Sequence, residues 1–433
     1  MKIPSIISTN SVKLLSGLAN NDDSLAAMVI KDWIGDGATV YTYKKEGGKD
    51  DAREKAIEEF GTGAVWLFAI PAIKKFLEAT VYPIFELNPK FDPRLLNDKN
   101  KLQELANLAK GKEKDLFDSL DKANPVVKNF TNAQMYKGFA VGKFLVATKA
   151  AAFALTKIIK FKQKTTPDRI EKENQNKKTK PLLNNKKASD NINFKSFMDS
   201  TKKKGKDISF TGGLAEFMYN PIKNTMILDG VIATTRLKEA RKEEIPEVAF
   251  KEICQIVFIY GLAKPIQLAF EGIGKLIKCP IKLDPKTLFS ENLADSIKNA
   301  KPSFEMIKNS DNVLNTLTNL DVKDSAISLL ENEGLISLTK DKSAISLLKP
   351  IDEKAIKGAI DNFEDMGKNI QNLKGSKIFK TVAVISNILI AAGIMGVIQP
   401  KLTILLRKML YGSNVNPAIA QQEKQAQSKN NQV

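Results

Sequence analysis

The chain has 433 residues, 43% of them hydrophobic, enough for two or three ordinary domains with sizeable cores. It carries 67 Lys+Arg against 49 Asp+Glu, a net charge of +18, with no histidine and two cysteines. This excludes imidazole nucleophile systems and general bases, His-ligated metals, four-thiolate zinc and a disulfide framework.

Carboxylate, lysine or hydroxyl chemistry stays open, but no spacing advertises it. The expectation is therefore no enzyme, no cofactor and no metal centre.

Met1 to Leu18 holds one early lysine and lacks the apolar core of about 7–15 residues that a secretory signal needs, so no cleaved signal is expected. Ala38 to Tyr43 is the best strand-like run, and it reads equally well as helix. Residues 61–73 are uncharged through Trp66, Phe68 and Pro71, then meet Lys74 and Lys75, which predicts an apolar helix over about 61–88. An amphipathic insert, 89–131, leads to a second apolar helix over 134–161. Its lysines 143, 149, 157 and 160 fall within about 120° of arc at 100° per residue and leave a broad apolar face. It reads as a cationic interfacial helix with snorkelling lysines or as the surface helix of a soluble bundle.

Residues 162–207 read as a flexible linker, with Pro167, Pro181, repeated Asn and Lys, and few large apolar residues to order them. Residues 157–207 hold 16 basic and 6 acidic side chains, a net +10. Lys177, Lys178, Lys186, Lys187, Lys202, Lys203, Lys204 and Lys206 are the candidate contacts to an anionic surface, with anionic lipid the first choice. Only 6 of the 67 basic residues are arginine, the residue suited to bidentate phosphate and base contacts, which argues against specific nucleic acid binding.

Further on, residues 253–263 are uncharged and then meet Lys264 and Pro265, predicting an apolar helix over about 247–278. Cys254 and Cys279 are 25 residues apart, about 37 Å if one helix carries both, and read as two reduced thiols. The insert 281–373 is amphipathic; residues 281–372 hold 12 basic and 15 acidic side chains, a net −3. Within it Ser325–Leu330 and Ser343–Leu348 spell the same hexapeptide, read as two short helices packed side by side. Residues 381–400 have no charge, and twenty residues at 1.5 Å each make a helix of about 30 Å, the thickness of a bilayer core. They belong to a closing helix over 376–410, and the polar tail 412–433 is expected to be disordered.

The two halves look related. At an offset of 193, residues 36–60 and 229–253 share nine identities in 25, among them Asp36/Asp229, Gly37/Gly230, Glu54/Glu247 and Glu59/Glu252. Each copy then runs through an apolar stretch to a proline and, after its insert, closes with a long apolar helix. Gly138 with Gly142, and Ala392 with Gly396, place small residues four apart on the two closing helices, a spacing that lets helices approach closely.

These features predict an all-α fold: two related helical halves, 1–161 and 208–411, joined by the basic linker, with membrane-embedded or interfacial helices. Asp36 and Asp229 are the most interesting polar positions, read as intramembrane acids or as helix caps. The expected role is that of a membrane-associated scaffold or carrier-like protein of a bacterial inner membrane, with the lipid bilayer as partner and the linker on the cytoplasmic side. The alternative is a soluble or peripheral helical module that binds nucleic acid or another anionic surface through its lysines. Mean hydropathy of −0.22 is too polar for a chain made mostly of spans.

Overall fold

A computed structural model describes residues 9–19, 25–85, 126–176, 221–338, 345–346 and 351–430. Among them the chain is all-α, apart from one antiparallel pair of two-residue strands. Ala38 to Tyr43, open to either reading, is helical.

The elements in order are α1 (Thr9–Ala19), α2 (Leu25–Glu46), α3 (Lys49–Ala64) and α4 (Ile70–Ile84), the last two joined by a π segment, Val65–Ala69. Next come α5 (Val126–Asn176), α6 (Pro221–Glu239) and α7 (Ile245–Leu276). The second insert holds α8 (Pro285–Leu288), α9 (Leu293–Lys308), α10 (Val313–Asn319), α11 (Ser325–Asn332), the strands β1 (Ser337–Leu338) and β2 (Ile345–Ser346), and α12 (Glu353–Lys368). The chain closes with α13 (Leu373–Gly393), a second π segment at Ile394–Ile398, α14 (Gln399–Tyr411) and α15 (Pro417–Asn430).

Both π segments end two residues before a proline, Pro71 and Pro400. A proline ring has no N–H to give and crowds the carbonyl four residues back, and a wider turn relieves that crowding. Pro265 sits inside α7 without a π segment, so proline favours the wider turn without dictating it.

The chain divides into two compact units, each drawn from three stretches, so neither coincides with residues 1–161 or 208–411. The first comprises 1–28, 78–141 and 263–388. Its core is a continuous apolar cluster in which Leu283, Leu288, Leu293, Ile307, Leu317, Leu330, Ile360 and Phe363 are almost wholly buried. Phe304 and Phe363 stack with ring centroids 5.2 Å apart, joining α9 to α12. Asp284, Asn312, Asp324 and Asp352 start α8, α10, α11 and α12, and each accepts a backbone N–H of the first turn.

The second unit comprises 29–77, 142–262 and 389–433. Its apolar clusters are small, built on Val65, Ile70, Phe144, Ala147, Ala151 and Leu228, on Leu155, Ile159 and Ile232, and on Tyr43, Ala52 and Ile404. Gly396 lets the second π segment approach α2, since a Cβ there would stand 2.5 Å from the carbonyl oxygen of Gly35. Gly142 lies in open space, so the small-residue spacing marks a close approach in the closing helix of the second half only.

Four expectations need correction. α5 continues to Asn176, past the proposed linker start at 162; along this part Gln163 donates to the carbonyl of Glu239 and Thr166 to that of Lys162. The tail is not structureless: Asn416 caps α15, and Ala418 and Ile419 are buried. Of the two hexapeptides only the first is a helix; Ile345 and Ser346 of the second pair with Leu338 and Ser337 as strands. Asp36 and Asp229 cap nothing, for each lies well inside its helix. Lys177, Lys178, Lys186, Lys187, Lys202, Lys203, Lys204 and Lys206 lie outside the described residues, as does most of the insert 89–131.

Candidate functional site

In the second unit, α3, α6, α7, α5 and α14 bring their charged residues together in a buried network. Burying one charge is costly, so each must find a partner of opposite sign. Arg407 of α14 has no exposed surface. Its Nε and Nη2 donate to the two carboxylate oxygens of Glu247 at 2.8 and 2.7 Å, a fork-to-fork pair. Its Nη1 donates to Asp51 and, at 2.7 Å, to the carbonyl of Asn414. Lys55 stands 3.4 Å from Glu247, and the Tyr43 hydroxyl donates to the same carboxylate at 3.3 Å.

Glu54 and Glu58 of α3 receive the next cations. Lys162 of α5 donates to Glu58 at 3.0 Å and stands 3.9 Å from Glu54. Arg241 pairs with Glu54 at 3.0 Å and with Glu244 at 3.1 Å. Arg236 of α6 donates to Glu252 at 2.6 Å, to Glu59 at 3.0 Å and to the Thr62 hydroxyl at 2.9 Å. Lys251 of α7 donates to Glu59 and lies 3.7 Å from Glu58. The surrounding carboxylates hold the Arg236 guanidinium well above its ordinary range despite burial, so it stays charged.

The sequence reading passed over this network. Three of the six arginines, Arg236, Arg241 and Arg407, are in it. Four of the six glutamates matched between the halves, Glu54, Glu59, Glu247 and Glu252, take cations there. Those matched glutamates were the available signal.

The two aspartates singled out from sequence lie beside this network. Asp36 is buried within α2 and lines a small cavity with Asp32, Glu59 and Lys251. Asp229 of α6 accepts a hydrogen bond from the hydroxyl of Tyr260 on α7. Burial pushes the Asp229 carboxyl up to about 7, against the opposing pull of that hydrogen bond. Among the described residues, no group of three or more Asp, Glu, Cys or His is arranged to hold a metal ion.

Among the described residues four helical stretches are long and apolar enough to cross a membrane: Lys49–Ile84, Gly138–Pro167, Lys242–Leu276 and Ile370–Tyr411. The network gathers charged residues from one end of each. Asp51 to Glu59 and Glu247 to Glu252 lie near the starts of the first and third stretches, Lys162 and Arg407 near the ends of the second and fourth. No family model, curated protein or solved structure matches this chain.

Proposed function

We propose that this chain is a membrane-embedded helical protein without enzymatic activity, a scaffold or carrier-like protein whose four apolar stretches cross the bilayer. The observation that carries this reading is where their apolar side chains point. In the most apolar window of Lys242–Leu276 only 6% of residues are buried inside the protein. Ile253, Val257 and Leu268 of that helix are exposed, as are Phe68, Phe153, Ile385 and Leu389 of the other three. A water-soluble protein rarely leaves so large an apolar surface uncovered, whereas a lipid bilayer covers it.

On this reading the ion-pair network ties one end of the four spans together, at the headgroup level of a bacterial inner membrane. The lysine-rich stretch 157–207 then lies on the cytoplasmic side, where anionic lipid attracts it.

We also infer that the halves arose by duplication. Glu54 and Glu247, matched at the offset of 193, each face a cation from the closing helix of their own half, Lys162 and Arg407.

Fractionation of cells expressing the full chain tests the membrane reading. The protein should stay with the membranes through high-salt and carbonate washes and come off only in detergent. Release of the intact chain by either wash would overturn the reading in favour of a peripheral or soluble helical module.

A further inference from the structure

Asp36 is 8% exposed, and among the described residues it has no hydrogen-bond or ion-pair partner. It lines a small cavity with Asp32 of α2, Glu59 of α3, Lys251 and Gln255 of α7 and Gln399 of α14. The cations around this cavity are already engaged, and the other polar groups of its wall, Thr39 and Gln255, are neutral. Lys251 serves Glu59 and Glu58, while Arg236 serves Glu59 and Glu252. The Gln399 amide donates to the carbonyl of Lys251 at 2.9 Å. Among the described residues no cation pairs with Asp32 or Asp36, which stand four residues apart on one face of α2.

An acceptor in the same cavity is orphaned as well: Oε1 of Gln255 is buried and has no hydrogen-bond partner. A carboxylate cannot serve it, because a carboxylate only accepts; a protonated carboxyl group can donate. The hydroxyl of Thr39 could donate to one of these oxygens but cannot neutralise a charge, whereas one proton would both neutralise a carboxyl of the pair and give it an O–H to donate.

We propose that Asp36, with Asp32 beside it, is a proton-binding site: at neutral pH the pair holds one hydron, taken reversibly from solvent, and presents its O–H to the cavity. The ammonium of Lys251 in the cavity wall disfavours a metal ion at the same place. Electrostatics supports the assignment. Burial, then the charges of Asp32 and Glu59, push Asp36 up to about 9, against the opposing pull of Lys251 and Arg236. Burial and Glu59 raise Asp32 only to about 6, so the proton resides mainly on Asp36, although two such neighbours titrate as a pair. The site is built within one unit of the protein and does not depend on the helices crossing a bilayer.

Infrared titration of the full-length protein tests it through the carbonyl stretch of a protonated carboxyl group. At pH 7 the wild-type minus Asp36→Asn difference should contain that band, and the band should disappear with a midpoint above pH 7. Asp32→Asn should keep the band and move its midpoint to lower pH, because a like charge has gone. Identical carboxyl bands in wild type and Asp36→Asn at pH 7 would overturn the proposal. So would loss of the band when sodium chloride replaces choline chloride at equal ionic strength, which would indicate a metal-ion site. Should Asp36→Asn fail to fold, Asp32→Asn decides alone, and an unmoved midpoint counts against the site.

Discussion

Arg407 shows how unequal the charged residues of this protein are. Its guanidinium is wholly buried and bridges Asp51 and Glu247, which lie 356 and 160 residues away in sequence. Removing it strands two carboxylates in the interior with Lys55 as the remaining cation. Arg407→Ala should therefore cost about 3–5 kcal/mol of stability, the usual penalty for breaking a buried pair from one side. Lys160 pairs with Glu239 at 3.7 Å but is 62% exposed. Lys160→Ala should cost less than about 1 kcal/mol, since water and salt already screen that pair. Thermal unfolding of the two variants in one detergent and buffer provides the check, and equal losses would deny the network a structural role. Arg407→Lys should recover only part of the loss, because an ammonium cannot reproduce the two parallel bonds to Glu247.

At the scale of elements, the twin hexapeptides show how much a single neighbouring residue decides. Ser325–Leu330 forms most of α11 because Asp324 precedes it and accepts the Ala326 N–H at 2.7 Å. The second copy follows Lys342, which has no acceptor to offer, and its Ile345 and Ser346 pair as a strand instead. Asp324→Ala should cost about 1 kcal/mol for the lost cap. It should cost somewhat more here, because the same carboxylate also accepts from the Ser303 hydroxyl at 2.7 Å. A chemical-denaturation midpoint no lower than wild type would show that the cap does not hold α11. Elements of this kind were legible in the sequence to different degrees. The apolar stretches near 61–73, 253–263 and 381–400 announced helices by length and lack of charge, and helices run through all three. The π segment at Ile394–Ile398 was not readable, because Pro400 and Pro265 look alike in sequence and only the former has a widened turn before it. The ion-pair network was hidden for another reason. Its partners are far apart along the chain, and Lys and Glu are so common here that the matches Glu54/Glu247 and Glu59/Glu252 carry little weight until the helices are seen to converge.

At the scale of the whole molecule, the contacts within the second unit give the proposed spans a direction. The Gln163 amide of α5 donates to the carbonyl of Glu239, at the end of α6, at 2.7 Å. Two residues later the chain reaches Arg241, and at Ile245 it enters α7. The start of α7 thus lies near Gln163 of α5, which itself falls within the lysine-rich stretch 157–207. On the proposal that those lysines face the cytoplasm, α7 would also begin on the cytoplasmic side. Its 32 residues measure about 48 Å at 1.5 Å each, more than the roughly 30 Å of a bilayer core, so on the proposed spanning arrangement its other end would emerge across the membrane. Lys286, ten residues past that end and exposed, is a convenient reporter. In a variant with Cys254→Ser, Cys279→Ser and Lys286→Cys, a membrane-impermeant maleimide should label the thiol in cells whose inner membrane is intact. Labelling that instead requires the membrane to be opened would reverse the orientation and place the lysine-rich stretch on the outer face.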